Sequence, residues 1–135
     1  MTIAELLEGA RARITRFSPW QALEAQEAGA LIVDIRCDEA RRAHGAIPGA
    51  VHVPLSVLFW RLDQASGHAD GRFADVDQQI ILVCADGYSS SLAASTLRDL
   101  GFARAGDLDG GFTAWAAAGL PVEAPLGPRP AHAGQ

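Results

Sequence analysis

A thiol stands at the end of an apolar run in the segment ILVCADGYSSSLAAS, residues 81–95. The run predicts a buried strand that ends at Cys84, and the alanine-rich stretch from about Ser89 or Ser90 predicts a helix. Between them lies a short polar loop with Gly87, a residue type that adopts positive φ without steric cost. Because ligands of open α/β sheets bind at the carboxyl ends of the strands, Cys84 is a candidate for chemistry.

The loop ADGYS, residues 85–89, has the features of an anion-binding site. The backbone N–H groups of a short loop, together with the positive end of the next helix, form a nest that attracts negative charge. A thiol in such a nest ionises more easily, and the thiolate is the nucleophile. Cys84 is thus either a nucleophile or, as cysteines at strand ends commonly are, a small buried hydrophobe.

Strands alternate with helices along the rest of the chain. Continuous apolar runs predict strands buried on both faces, and segments with helical spacing join them. This alternation predicts an α/β fold with a mainly parallel sheet covered by helices on both faces. The predicted strands lie in ITRFSP, ALIVDI, residues 51–53, QIILVC and ARAGDL. The predicted helices lie in TIAELLEGARARI, residues 19–28, CDEARRAH, LSVLFWRLD, SSSLAASTLRDLG and GGFTAWAAAG.

Composition excludes several other classes of protein. The length of 135 residues indicates one domain, and the net charge of −5 argues against a nucleic-acid-binding surface. Two cysteines are too few for a secreted disulfide framework, and no His/Cys pair has zinc-ligand spacing. The N-terminus, with Glu5 and Glu8, lacks the apolar core of a signal peptide, and no apolar stretch has the ~18 residues of a membrane span. We therefore expect a cytoplasmic protein without nucleic-acid or membrane partners.

Four motifs occur in the order and spacing of one family. They are DIR (34–36) after an early strand, GAIPGAVHVP (45–54), the cysteine loop as C-x-x-G-x-[R/S/T]-[S/T], and LDGGFTAWAAAGLPV (108–122). Together they resemble the rhodanese homology domain in its single-domain form, over residues 17–122. The resemblance implies a rhodanese-like three-layer sandwich with a five-stranded sheet. Around this domain, placed at 15–123, helical spacing predicts a helical extension at 1–14, and a proline-rich composition predicts a disordered tail at 124–135.

The resemblance further implies a rhodanese-type sulfurtransferase. Cys84 would carry a persulfide, taking sulfane sulfur from thiosulfate or another persulfide and passing it to a thiophilic acceptor, with no metal or organic cofactor. The partners would be a small sulfur donor and acceptor or a sulfur-relay protein. The alternative is a non-enzymatic sulfur carrier or interaction module of the same fold. The implied anion nest consists of Ala85, Asp86, Gly87, Tyr88, Ser89 and Ser90.

Three residues outside the loop are further candidates. Asp34 and Arg36 are expected at the same sheet edge as Cys84, where they support the site. Asp34 would either accept backbone N–H bonds from the loop or form a structural ion pair. Arg61 would either contact a substrate anion or lie on a solvated helix face.

The chain also departs from the family pattern. Many members have arginine at the position of Ser89, the usual histidine of the Gly-His-Ile turn is Ala46, and Arg41 and Arg42 replace an acid and an aromatic.

The sequence disfavours a cysteine phosphatase. Such an enzyme would need arginine six residues after the cysteine, and Ser90 stands there.

Cys37 is not explained by the resemblance. It follows the ALIVDI strand, which the family places beside the Cys84 strand, so both sulfurs should lie near one sheet edge. Cys37 is either a part-buried helix residue without a redox role or a thiol that attacks the Cys84 persulfide and leaves a disulfide. The second alternative requires Cα atoms within about 7 Å.

Overall fold

A computed structural model of the chain describes residues 1–130. Its five strands form one sheet in the order β1-β5-β4-β2-β3, and every neighbouring pair is parallel. The predicted α/β class is confirmed. The strands are β1 (Thr15–Phe17), β2 (Leu31–Asp34), β3 (Val51–His52), β4 (Ile80–Val83) and β5 (Ala105–Leu108). The α-helices are α1 (Ile3–Ala12), α2 (Pro19–Glu27), α3 (Asp38–His44), α4 (Leu58–Leu62), α5 (Ser89–Asp99) and α6 (Gly111–Ala117), with a 3₁₀ helix at Gly71–Phe73.

The two central strands, β4 and β2, determine where the site forms. All four residues of β4 are buried because helices cover both faces of the sheet, so alternate side chains enter two separate apolar clusters. Ile80 and Leu82 enter the cluster that α5 covers, and Ile81 enters the cluster around Trp115 of α6. In the register, Asp34 of β2 lies opposite Val83 of β4, so the chains leave both strands at the same sheet edge.

Local sequence explains how the helices begin. Ser18 caps α2, because its hydroxyl accepts the Gln21 N–H while the Gln21 side chain accepts the Ser18 N–H, and Pro19 occupies the first helical position. Thr2 caps α1 in the simpler way, through the Glu5 N–H.

Polar contacts hold α1 against α5. Ala10 is the only residue of α1 that is buried. Arg11 donates to Ser91 at 3.1 Å, and Arg13 donates to Ser95 at 2.9 Å. The N-terminal helix is therefore attached to the residues that follow the cysteine loop.

The segment after α6 returns along α3. Glu123 and Ala46 form an antiparallel bridge, and the backbone N–H of Gly127 donates to the carbonyl of Arg42 at 2.9 Å. The predicted disordered tail begins at residue 124, and its positions 131–135 lie outside the described residues, so that tail stays a prediction. Within residues 1–130, no helix is long and apolar enough to cross a membrane.

Candidate active site

Cys84 lies directly after β4 and is 6% exposed. Its sulfur accepts the backbone N–H of Gly87 at 3.1 Å, and its thiol donates to the hydroxyl oxygen of Ser90 at 3.2 Å. Ser90 belongs to the first turn of α5. The strand end, the loop and the helix N-terminus thus converge on one sulfur; residues 84–90 are called the Cys84 loop below.

The surroundings of Cys84 favour its thiolate. Burial raises the pKa of the Cys84 thiol, because a charge is less stable away from water. Hydrogen bonds to the thiolate from the side chains of Ser90 and Ser89 and from the backbone of Ser90 and Gly87 outweigh that effect, so the pKa lies below its ordinary value. A lowered thiol pKa is the property that a cysteine nucleophile requires.

The N-terminus of α6 holds the first two residues of the Cys84 loop. The backbone N–H groups of Phe112 and Thr113 donate to the carbonyls of Cys84 and Ala85 at 2.9 and 3.0 Å. This approach requires glycine at position 111, because a Cβ there would lie 2.5 Å from the Cys84 carbonyl oxygen. Gly111 therefore allows the helix end to reach the loop.

A carboxylate missed by the sequence analysis lies beneath the loop. Asp107 of β5 is fully buried, and the hydroxyls of Ser90 and Ser91 each donate to its Oδ2 at 2.8 Å. Arg16 of β1 donates to its Oδ1 at 3.0 Å. The sequence signal that could have identified Asp107 was a charged residue within the otherwise apolar β5. Such a group is almost never fully buried unless it is paired, so it indicates a buried partner.

Two guanidinium groups hold the carbonyl of Gly87. Arg11 donates to it at 2.7 Å and Arg16 at 3.0 Å. In a trans peptide the C=O and the following N–H point in opposite directions, so the N–H of Tyr88 points away from both arginines. The guanidinium of Arg11 also lies 5.5 Å from the ring centroid of Tyr88, which is 63% exposed at the loop tip.

The Cys84 loop keeps backbone N–H donors that have no partner within the described residues. Among residues 1–130, no protein group accepts a hydrogen bond from the backbone N–H of Ala85, Asp86, Tyr88 or Ser89. These donors flank Gly87, whose N–H binds the sulfur, and lie next to a thiol with a lowered pKa. The arrangement can bind an anion beside a sulfur nucleophile.

The family profile of the rhodanese-like domain matches residues 18–118. The chain belongs to the rhodanese-like domain family. The thiosulfate sulfurtransferase GlpE of Ectopseudomonas mendocina (strain ymp) is 41% identical over 102 residues, which are 76% of this chain and 84% of that protein. The predicted enzyme class, a rhodanese-type sulfurtransferase, is confirmed at that level.

Two solved structures are similar in fold to this rhodanese-like chain. A protein of unknown function from Rhodopseudomonas palustris CGA009, described as a possible tyrosine phosphatase, matches with a TM-score of 0.85 and 32% identity over 91% of this chain and 95% of that one. The rhodanese-like domain of an Anabaena sp. protein matches with a TM-score of 0.64 and 27% identity over 89% and 86%.

In this rhodanese-like domain, Asp34 and Arg36 form a buried ion pair at 2.7 Å. Arg36 also donates to the carbonyl of Gly45 at 2.8 Å, and its guanidinium stacks on Phe112 with 4.0 Å to the ring centroid. Within the described chain, no hydrogen bond joins Asp34 to the Cys84 loop. The pair instead contacts the loop indirectly: Arg36 stacks on Phe112, and the N–H of Phe112 donates to the Cys84 carbonyl.

Arg61 and Cys37 have local partners. Arg61 is exposed and donates to the carbonyl of His68 at 3.1 Å, and no hydrogen bond in residues 1–130 links it to the Cys84 loop. Cys37 is exposed rather than part-buried, and its sulfur caps α3 by accepting the N–H of Ala40 at 3.4 Å. In the part of the chain that the structure describes, no group of three His, Cys, Asp or Glu side chains could hold a metal ion.

Proposed function

We propose that this protein transfers sulfane sulfur through a persulfide on Cys84, with thiosulfate as the donor. The observation that carries the proposal is the buried thiol of Cys84, whose pKa is lowered by the hydrogen bonds of its own loop. The relatives named thiosulfate sulfurtransferase GlpE support thiosulfate as the donor.

The proposed reaction has two balanced steps. The Cys84 thiolate attacks the outer sulfur of thiosulfate, a new S–S bond forms on Cys84, and the S–S bond of thiosulfate breaks as sulfite leaves with the electron pair. A thiophilic acceptor then attacks the outer sulfur of the persulfide. With cyanide as the acceptor, thiocyanate leaves and the Cys84 thiolate is restored.

The free donors of the Cys84 loop fit the charges of these steps. Thiosulfate, sulfite and the persulfide are all anions, and fixed N–H donors stabilise developing negative charge without having to reorganise. The backbone N–H groups of residues 85–90 and the hydroxyl of Ser89 would supply this stabilisation. In this proposal Ser89 contributes a neutral donor where many family members have a cation.

We propose a reducing, cytoplasmic setting for this chemistry. Both cysteines are free, and an exposed thiol such as Cys37 persists where glutathione and thioredoxin keep thiols reduced. The partners in the proposal are a small sulfur donor and acceptor, or a second protein that takes the sulfur from Cys84.

The phosphatase description of the Rhodopseudomonas neighbour defines a competing activity. Cysteine phosphatases bind phosphate through a planar guanidinium in the nucleophile loop. Ser90 stands at the corresponding spacing here, and the nearby guanidinium groups of Arg11 and Arg16 bind the carbonyl of Gly87. The geometry therefore favours sulfur transfer over phosphate hydrolysis.

The test is turnover with matched cysteine variants. Purified wild-type protein, Cys84→Ser and Cys37→Ser are assayed for thiocyanate formed from thiosulfate and cyanide, and for hydrolysis of p-nitrophenyl phosphate. We expect wild type and Cys37→Ser to form thiocyanate at similar rates, Cys84→Ser to form none, and none of them to hydrolyse the phosphate ester. No thiocyanate from wild type with thiosulfate or polysulfide would favour the non-enzymatic alternative, and Cys84-dependent hydrolysis would favour the phosphatase.

A further inference from the structure

The hydroxyl of Ser90 lies between two groups that can both accept its single hydrogen. With Cys84 as a thiol, the S–H donates to the Ser90 oxygen at 3.2 Å, and the Ser90 hydrogen goes to Asp107 Oδ2 at 2.8 Å. A thiolate has no hydrogen to donate. Once Cys84 ionises, the sulfur becomes an acceptor facing the same hydroxyl.

We propose that the Asp107–Arg16 ion pair is a positioning unit for Cys84. While Cys84 is a thiol, Asp107 accepts the hydrogen of the Ser90 hydroxyl. When Cys84 is a thiolate or persulfide, Asp107 releases that hydrogen and the Ser90 hydroxyl donates it to the sulfur. The proton of Cys84 leaves to solvent, and the Ser90 hydroxyl only rotates, so no covalent bond to oxygen changes. The proposal rests on the proposed function for the persulfide state alone; the thiol and thiolate states do not depend on a sulfur donor.

Asp107 can release this hydrogen because it keeps other partners. Its Oδ2 also accepts the hydroxyl of Ser91 at 2.8 Å and an Nη2 hydrogen of Arg16 at 3.3 Å, and its Oδ1 accepts Arg16 Nε at 3.0 Å. A buried carboxylate that keeps three hydrogen bonds and an opposite charge stays paired when a fourth bond is lost.

The sheet itself builds this pair. Arg16 of β1 and Asp107 of β5 are register partners in the parallel β1·β5 ladder. The same guanidinium donates to the carbonyl of Gly87, whose N–H binds the Cys84 sulfur. One cation thus neutralises the carboxylate behind Ser90 and also orients the loop in front of it.

The balance between the charges of Asp107 and Arg16 determines how stable a thiolate is on Cys84. Asp107 disfavours a thiolate two hydrogen bonds away, and Arg16 cancels that effect. Among the other charged groups around the loop, Asp109 is exposed and also pairs with Arg16 at 3.0 Å. The rest have partners outside this unit: Arg11 of α1 on the Gly87 carbonyl, Asp86 on Thr113 of α6, and Asp34 with Arg36 after β2. Changing Asp107 or Arg16 alone should therefore shift the ionisation of Cys84 in opposite directions.

The test measures the rate at which iodoacetamide alkylates Cys84 as a function of pH, in the Cys37→Ser background so that one thiol reacts. Asp107→Asn removes the negative charge and should lower the midpoint of the profile by about one pH unit. Arg16→Gln leaves the buried Asp107 and the exposed Asp109 uncompensated and should raise the midpoint by a similar amount. The midpoint of the double variant, Asp107→Asn with Arg16→Gln, should return close to that of the Cys37→Ser background. The midpoint of Arg16→Lys should stay within a few tenths of a pH unit of the same background.

A merely structural role predicts a different pattern. If the two residues only stabilise the fold, both single variants should shift the midpoint in the same direction or leave it unchanged, and either result overturns the proposal. If Arg16→Gln does not fold, as judged by circular dichroism, the midpoints of Asp107→Asn and Arg16→Lys still decide. Alkylation needs no sulfur donor, so opposite shifts without persulfide formation would refute the proposed function and leave this inference standing.

Discussion

Replacing Ser90 by alanine tests how the site activates its thiol. Ser90 and Ser91 are both fully buried, and each donates to Asp107 Oδ2 at 2.8 Å. Only the Ser90 hydroxyl also touches the Cys84 sulfur, at 3.2 Å. Ser91→Ala is therefore a control that also removes a bond to Asp107 and leaves the sulfur contact intact. It additionally removes the contacts of Ser91 with Arg11 and with the Gly87 carbonyl.

The expected magnitude follows from the lost hydrogen bond. A hydrogen bond to a charged group contributes roughly 1.5–3 kcal/mol, and about 1.36 kcal/mol corresponds to one pKa unit. The Ser90 side chain lowers the pKa of Cys84, so its removal must raise that pKa, by about one to two units. Burial, which raises the pKa, remains in the variant. At a pH below the midpoint, the thiolate fraction and the alkylation rate should fall roughly 10- to 150-fold.

The assay is the pH profile of iodoacetamide alkylation for both variants, with circular dichroism to confirm that each is folded. We expect a raised midpoint for Ser90→Ala and a midpoint near wild type for Ser91→Ala. Equal shifts in the two variants would mean that the bond to Asp107, and not the contact with the sulfur, activates Cys84. An unshifted Ser90→Ala profile would refute the reasoning outright.

Three further predictions concern the loop and its chemistry. Gly111→Ala should lower thermal stability and sulfur transfer, because its Cβ would lie 2.5 Å from the Cys84 carbonyl oxygen, whereas Gly119→Ala, also at positive φ but with nothing within 4 Å, should cost less in a thermal melt and leave transfer intact. Ser89→Ala should reduce transfer by at most about 150-fold, because the backbone N–H donors remain, and a loss beyond about a thousandfold in a folded variant would contradict this. The rate of persulfide formation should rise with pH and level off below the free thiol value of about 8.5, because the pKa of Cys84 is lowered; a midpoint at or above that value in the pH–rate profile would contradict the mechanism.

The centre of the sheet was predictable because its strands are buried on both faces. The runs ALIVDI and QIILVC contain β2 and β4, and their apolar continuity is what a parallel strand between two helix layers requires. The 3₁₀ helix Gly71–Phe73 was not predicted, because it lies in a polar, glycine-containing loop without hydrophobic periodicity.

The site was predictable only where it is local in sequence. Cys84, its loop and the start of α5 follow one another along the chain, so the strand–loop–helix pattern identifies them. Arg11, Arg16 and Asp107 were missed, because they meet through the packing of α1 on α5 and the register of β1 with β5. Pairing between elements so distant in the chain depends on tertiary structure, and a single sequence does not contain that information directly.

Intact-mass spectrometry after brief exposure to thiosulfate tests the central claim most directly. The samples are wild type, Cys84→Ser and Cys37→Ser, each reduced and desalted beforehand. We predict that wild type and Cys37→Ser gain the mass of one sulfur atom, that peptide mapping places it on Cys84, and that cyanide removes it with release of thiocyanate. Cys84→Ser should gain nothing. Sulfur found on Cys37, or an unchanged wild-type mass under conditions in which a known thiosulfate sulfurtransferase is loaded, would contradict a persulfide at Cys84.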